Sequence, residues 1–232
     1  MLTLEKLRAQ WGDWVLEADL TIGTGETVAL IGPSGAGKST LLGLIAGYDV
    51  PARGRVLWNG EDLTGTPPAA RPISMVFQDN NLFPHMTAAQ NVGLGLRPDL
   101  KLGADGWRDV AAALERVGLG GYGDRKPGQL SGGQAARLAL ARVILRQRPI
   151  LLLDEAFDAL GPALRGEMLD LVAGLADETG ATLLIVTHEP GDARRIADSV
   201  VLVAEGMAHP PVATAEIFDN PPEAFRAYLG NG

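Results

Sequence analysis

Gly32-Pro33-Ser34-Gly35-Ala36-Gly37-Lys38-Ser39-Thr40 decides the fold of this 232-residue chain. Glycines at 32 and 37, followed directly by lysine and serine, make a loop whose backbone N–H groups turn inward around phosphate oxygens. The helix that follows adds the positive end of its dipole, and Lys38 adds a mobile charge. All nine residues of the loop are candidates for nucleotide contact, with Ser39 placed to ligate Mg²⁺. The context fits. Thr27-Val28-Ala29-Leu30-Ile31 reads as a buried strand running into the loop, and Ser39 to Ala46 has helical spacing that stops at Gly47. Strand, glycine loop and helix in that order predict an α/β domain built on a phosphate-binding loop.

Further along, Ile150-Leu151-Leu152-Leu153-Asp154-Glu155 is an apolar strand that delivers two carboxylates at its C-terminal end, where open α/β sheets bind ligands. Asp154 is the candidate to hold Mg²⁺ through its water shell, and Glu155, pointing elsewhere, to polarise an attacking water. Gln78 closes the apolar run Ile73 to Phe77, and His188 follows Ile185-Val186-Thr187. A parallel sheet would bring both to the edge where the γ-phosphate sits, although either residue alone is commonplace.

Composition narrows the function classes. The formal net charge of -8 leaves no basic surplus to displace counterions, which argues against nucleic acid as the main partner. There is no cysteine, hence no disulfide framework and no thiolate metal site. The start, Met1-Leu2-Thr3-Leu4-Glu5-Lys6, lacks the basic and apolar runs of a signal peptide, and no apolar stretch approaches the ~20 residues needed to span a bilayer. A cytosolic chain is expected, with any membrane role exercised through another protein.

Around the two nucleotide segments the patterning is regular. The first thirty residues read as strands, and Gly54 to Gly60 as a strand closing on an Asn-Gly turn. Pro67-Pro68-Ala69-Ala70-Arg71-Pro72 reads as a stiff connector. From about 80 to 148 the pattern turns helical, with candidate helices at Ala88–Val92, Trp107–Val117 and Gly133–Arg146. Beyond it, Ile150–Leu153, Thr182–Val186 and Val200–Val203 are solid apolar runs of the kind expected in parallel strands covered on both faces. From Ala208 onward the chain is Pro-rich and weakly patterned.

Leu130-Ser131-Gly132-Gly133-Gln134 opens one of the candidate helices. A hydroxyl and unencumbered N–H groups at a positive helix end form an anion site. The phosphates are already cradled by residues 32–40, so this second cradle either is an ordinary helix cap or is aimed at a nucleotide on another molecule.

Taken together, these motifs resemble the ATP-binding cassette subunits of membrane transporters, over residues 2 to 206. The resemblance implies a RecA-like core with an N-terminal antiparallel β-subdomain and an inserted helical subdomain, all within one nucleotide-binding domain spanning 1–232 and without a C-terminal regulatory domain. It assigns Trp11 to stacking on adenine, leaving Trp14 to the core. Gln78 becomes the sensor of Mg²⁺ and water, Glu155 the catalytic base and His188 the γ-phosphate switch, with Lys38 as the phosphate clamp. ATP and Mg²⁺ are the implied ligands, and Leu130–Gln134 the signature that acts in trans in a head-to-tail homodimer. An integral membrane permease, and indirectly a periplasmic solute-binding protein, are the implied partners at the cytoplasmic face of the membrane. Phe83, Met86 and Val92 are candidates for a groove that receives the permease.

The closest resemblance is to the ATP-binding subunit of bacterial thiamine importers, carried by residues 67–78, by Asn80-Asn81-Leu82-Phe83 with His85, and by 90–96 leading to Leu100-Lys101-Leu102. An importer for iron(III), sulfate, molybdate or polyamines, a soluble cassette ATPase and a non-catalytic nucleotide switch stay open as alternatives. Two departures stand out. The family usually continues Asp-Glu-Pro-x-Ser-Ala-Leu-Asp, whereas this chain reads Asp154-Glu155-Ala156-Phe157-Asp158-Ala159-Leu160-Gly161. Its signature helix carries Ala135-Ala136 where polar residues are more usual, which is expected to weaken contacts near the dimer face.

Overall fold

Burial patterns divide the strands into two kinds, and the sheet follows that division. In the computed structural model, which describes residues 1–230, the first two strands β1 (Leu2–Trp11) and β2 (Trp14–Ile22) alternate between buried and open positions, as in a sheet with one wet face. They pair antiparallel, and β1 also pairs antiparallel with β4 (Arg53–Trp58), which turns at Asn59-Gly60 into the short β5 (Glu61–Asp62). By contrast β3 (Thr27–Ile31) and β8 (Thr182–Val186) are buried at every position. With β6 (Ile73–Val76), β7 (Ile150–Asp154) and β9 (Ser199–Ala204) they form a parallel set in the order β9-β3-β8-β7-β6. The two halves are one sheet: β10 (Met207–Ala208) pairs with β2 on one side and β9 on the other.

Helices cover both faces. Helix α1 (Lys38–Ala46) packs with the β1, β2 and β4 half in one core, while α5 (Pro162–Thr179) and α6 (Pro190–Ile196) cover the other face of the parallel set. The inserted block consists of α2 (Ala88–Gly93), α3 (Ala104–Arg116) and α4 (Gly132–Ile144), close to the bounds expected from periodicity. It has its own apolar cluster, which includes Val92, Val110 and Leu138. Val92 is therefore core and not a groove residue, whereas Phe83 is exposed. Asn91, wholly buried, pins the segment before it: its amide donates to the Phe83, Met86 and Thr87 carbonyls while its oxygen accepts from the Phe83 N–H.

Three local features escaped the sequence reading. Arg71, within the supposed connector, is 1% exposed and donates to the carbonyls of Leu44, Ile45, Thr64 and Thr66. It closes the C-terminal end of α1, where orphan carbonyls need donors. Ala136 is buried in the core beneath α4, so a polar residue there would face apolar neighbours; only Ala135 is partly open. The tail is ordered structure: β11 (Val212–Ala213) pairs with β9, and α7 (Thr214–Asp219) and α8 (Glu223–Leu229) follow, with Phe225 wholly buried. The last two positions of the expected domain, Asn231 and Gly232, lie outside the described residues.

Candidate nucleotide site

The loop from Gly32 to Gly37 sits at the C-terminal end of β3 because its glycines allow what other residues do not. A methyl group on Gly32 would lie 1.9 Å from the Val203 carbonyl oxygen on β9, and Gly37 has a φ of 103° as it caps α1. Lys38 folds back over the loop. Its Nζ donates to the carbonyls of Gly32 and Pro33 at 2.8 and 3.0 Å, and burial pushes its pKa below the usual lysine value, opposed by Glu155 and then Asp154. A cation held against carbonyl oxygens in this way is a preorganised partner for anionic oxygen.

Beside it, Ser39 Oγ donates to Asp154 Oδ1 at 2.8 Å, joining the start of α1 to the end of β7. Burial raises the Asp154 carboxyl above the ordinary carboxylate range, against the lowering effect of the Ser39 hydrogen bond. A hydroxyl and a carboxylate oxygen side by side are the hard donors that Mg²⁺ takes. Glu155 leaves the strand in the left-handed region at φ 50°, uncommon for a residue with a side chain, and its Oε1 lies 2.5 Å from Nε2 of His188.

Ser34, Lys38, Ser39, Glu155 and His188 line one cleft of about 350 Å³ together with Trp11, and Asp154 is tied to it through Ser39 without being one of its walls. Trp14, left to the core by the resemblance, packs against it half-buried and also lines the same cleft, its ring 5.5 Å from that of Trp11 and inclined at 44°. The signal for it was two tryptophans paired across the tight turn Gly12-Asp13. Asp49 also reaches the cleft and was not foreseen. Gln78 is exposed just beyond β6, next to β7 in the sheet, and is not among the cleft walls.

The signature segment stands apart from this cleft. Ser131 caps α4, its Oγ accepting from the Gln134 N–H at 3.3 Å while the Gln134 side chain accepts from the Ser131 N–H at 3.0 Å. Ser131 and Gly132 are exposed; Gly133 is buried, and a methyl there would meet Leu164 of α5 at 2.3 Å. So the capping residues are themselves open on their outer side at Ser131 and Gly132.

Past Glu155, Asp158 joins a network that the sequence did not suggest. The Arg165 guanidinium bonds Asp158 at 3.0 Å, Asp192 at 2.5 Å and the Thr187 hydroxyl at 2.9 Å, tying the segment after β7 to the residue preceding His188. Burial raises the Asp158 carboxyl, and Arg165 pulls it back down. Gly161 caps α5 with extended geometry, φ -63° and ψ 155°, and a side chain there would meet nothing within 4 Å. The missing aspartate at this position is thus a chemical departure and not a steric necessity.

Comparison with known proteins places this geometry. A family model described as ABC transporter matches residues 15–158. The chain is 58% identical to the thiamine import ATP-binding protein ThiQ of Cereibacter sphaeroides over 99% of its length and 100% of that protein's, and 56% identical to its namesake from Ruegeria sp. with the same coverage. Among solved structures, the ATP-binding cassette MJ0796, in a dimeric post-hydrolysis state bound to ADP and Pi, superposes with a TM-score of 0.80 at 30% identity, covering 92% of this chain and 99% of that one. CbiO1 from Clostridium perfringens, part of the ABC transporter complex cbiONQ, gives 0.84 at 31% identity, covering 94% of this chain and 90% of that one. With phosphate loop, paired carboxylates and full-length relatives in agreement, the chain belongs to the ABC transporter family.

Proposed function

We propose that this chain is the ATP-binding and ATP-hydrolysing subunit of an importer for thiamine and its phosphates. The observation that carries the solute is the match at 58% identity, over the whole of both chains, to a protein named for thiamine import. The ATPase itself rests on the convergence of Lys38, Ser39, Glu155 and His188 on one cleft. The 232 residues form one nucleotide-binding domain, with residues 80–148 as its helical part.

In this reading adenine stacks on Trp11, and the phosphates lie along residues 32–40 with Lys38 drawn toward the β- and γ-phosphates. Ser39 and Asp154, with Gln78 from the neighbouring strand end, would hold Mg²⁺, whose charge neutralises the phosphate oxygens. Glu155 orients a water and takes its proton as the water oxygen bonds the γ-phosphorus and the bond to the ADP oxygen breaks. His188 contacts the γ-phosphate. Because Leu130–Gln134 does not line its own cleft, two copies assemble head to tail so that Ser131 meets ATP seated on the other copy's Lys38.

Among the described residues no helix is long and apolar enough to cross a membrane. Membrane work therefore passes through an integral permease, with the chain at the cytoplasmic face and a periplasmic solute-binding protein upstream. A groove of about 830 Å³ between Tyr48, Pro67, Leu94, Leu96 and Arg146 is the surface that suits the permease. It lies beside α2 and not on the expected Phe83 and Met86. The test is deletion of the gene followed by uptake of labelled thiamine, with iron and sulfate uptake as controls. Loss of thiamine uptake alone is expected, and unchanged thiamine uptake would overturn the assignment.

A further inference from the structure

We propose that Tyr228, on the C-terminal helix α8, is a positioning residue for His188. Its hydroxyl donates to the His188 carbonyl oxygen at 2.5 Å across 40 residues of sequence. The inference rests on the reading of His188 as a γ-phosphate contact and adds a residue that this reading does not contain.

The phenol is aimed by packing. Phe225, one turn earlier on α8, is wholly buried in the core under the parallel strands; its ring lies edge-on to Phe218 at 5.2 Å and stacks on Tyr228 at 6.3 Å with a 20° tilt. An aromatic stack of this kind holds a ring at little entropic cost, so the hydroxyl has few alternative positions. A phenol is protonated at neutral pH in any case, and burial pushes the Tyr228 phenol further above its usual value.

On the receiving side, the loop after β8 has two anchors and one free end. Thr187 is fixed through its hydroxyl, which donates to Asp192 at 2.6 Å and accepts from Arg165 and from the Glu189 N–H. The His188 carbonyl is fixed by Tyr228, and the imidazole is the part left to swing between Glu155 and a phosphate. Next to that carbonyl, a cavity of about 650 Å³ opens between Pro33, Glu189 and α8. Without the phenol, the peptide joining His188 to Glu189 keeps only the Glu189 N–H bond to the Thr187 hydroxyl at 3.0 Å, and a plane held at one end in place of two lets the imidazole shift with it. Tyr228 thus makes a helix at the end of the chain part of the support of the γ-phosphate switch.

The experiment uses Tyr228→Phe, which keeps the stack and removes one oxygen. Loss of one such orienting hydrogen bond is expected to lower kcat for ATP about three- to tenfold. Affinity for a non-hydrolysable ATP analogue should fall while affinity for ADP, which has no γ-phosphate, stays unchanged; a merely structural role would weaken both alike. In a His188→Ala background, Tyr228→Phe should leave the ratio of the two affinities where His188→Ala alone puts it. A Tyr228→Phe protein with wild-type kcat and ratio, beside an impaired His188→Ala, overturns the proposal for Tyr228. So does an equal further loss in the double variant. A His188→Ala protein indistinguishable from wild type would instead overturn the γ-phosphate role of His188 itself.

Discussion

His188 Nε2 rests on Glu155 Oε1 at 2.5 Å, so the candidate base is covered by the candidate switch. The contact takes one of the two carboxylate oxygens, and Glu155 still lines the cleft. Glu155→Gln should keep ATP binding, because Lys38 and the loop are untouched, and lower turnover by about 10²–10⁴-fold. Filter binding and phosphate release measured on the same preparation decide it; near-normal turnover excludes Glu155 as the base.

Asp154 binds its proton more tightly in the fold than in the unfolded chain, because burial raises its carboxyl. The folded state then holds more protons than the unfolded state, and this group's contribution to stability falls as pH rises from the ordinary carboxylate range through the raised value. Asp154→Asn removes that liability. The nucleotide-free variant should melt higher than wild type at neutral pH, with the gap narrowing as pH falls toward 4, while hydrolysis is lost. Thermal melts across that range check the sign; a lower melting point at neutral pH contradicts it.

At Gly161 there is room for a side chain and extended cap geometry that suits aspartate. Gly161→Asp should therefore fold at least as stably as wild type and change the cooperativity of ATP hydrolysis between the two sites. If rate and Hill coefficient both stay as they were, the position has no part in coupling.

Replacing Arg71 by alanine strips of their donor two carbonyl oxygens at the end of the helix that starts at Lys38, those of Leu44 and Ile45, and two in the loop after β5, those of Thr64 and Thr66. A loss of about 3 kcal/mol in unfolding free energy is expected, since hydrogen bonds from a charged group are each worth roughly 1.5–3 kcal/mol and water would replace part of them. Urea titration measures it. A shift within experimental scatter would mean that α1 closes without this residue.

Trp11 is about half exposed, at 49%, and lines the cleft together with Trp14. Base stacking on an aromatic ring is worth about 1–3 kcal/mol, so Trp11→Ala should weaken ATP and GTP binding by about tenfold or more, without discriminating strongly between them. Fluorescence titration with both nucleotides tests this, and unchanged affinity removes Trp11 from the site.

Much of this was legible because it depends on local pattern. Thr27–Ile31, Ile150–Leu153 and Thr182–Val186 announce themselves as strands by unbroken apolar runs, and the loop between Gly32 and Lys38 fixes what lies at their ends. Gln78, His188 and the carboxylates could be ordered along one edge for the same reason. Arg71, Arg165 and Tyr228 were not legible: each acts across more than one element, through the polar end of its side chain, in a segment whose sequence reads as connector, surface helix or tail. Trp14 has two faces to its environment: it packs against the core, where the resemblance leaves it, and from the start of β2 it also lines the cleft.

Gly133 carries two demands on one missing methyl group: it belongs to the signature that presents N–H groups outward, and Leu164 of α5 occupies the space a Cβ would need. An alanine there displaces Leu164, three residues beyond Gly161, so its phenotype mixes disturbed helix contact with lost anion recognition. Gly132 has no such neighbour, since a methyl on it would come no nearer than 4.0 Å to Leu160. The adjacent glycines therefore separate two causes that a single inactivating substitution in this motif would confound: a side chain at Gly132 alters only the exposed surface, whereas one at Gly133 also disturbs the packing of α4 on α5.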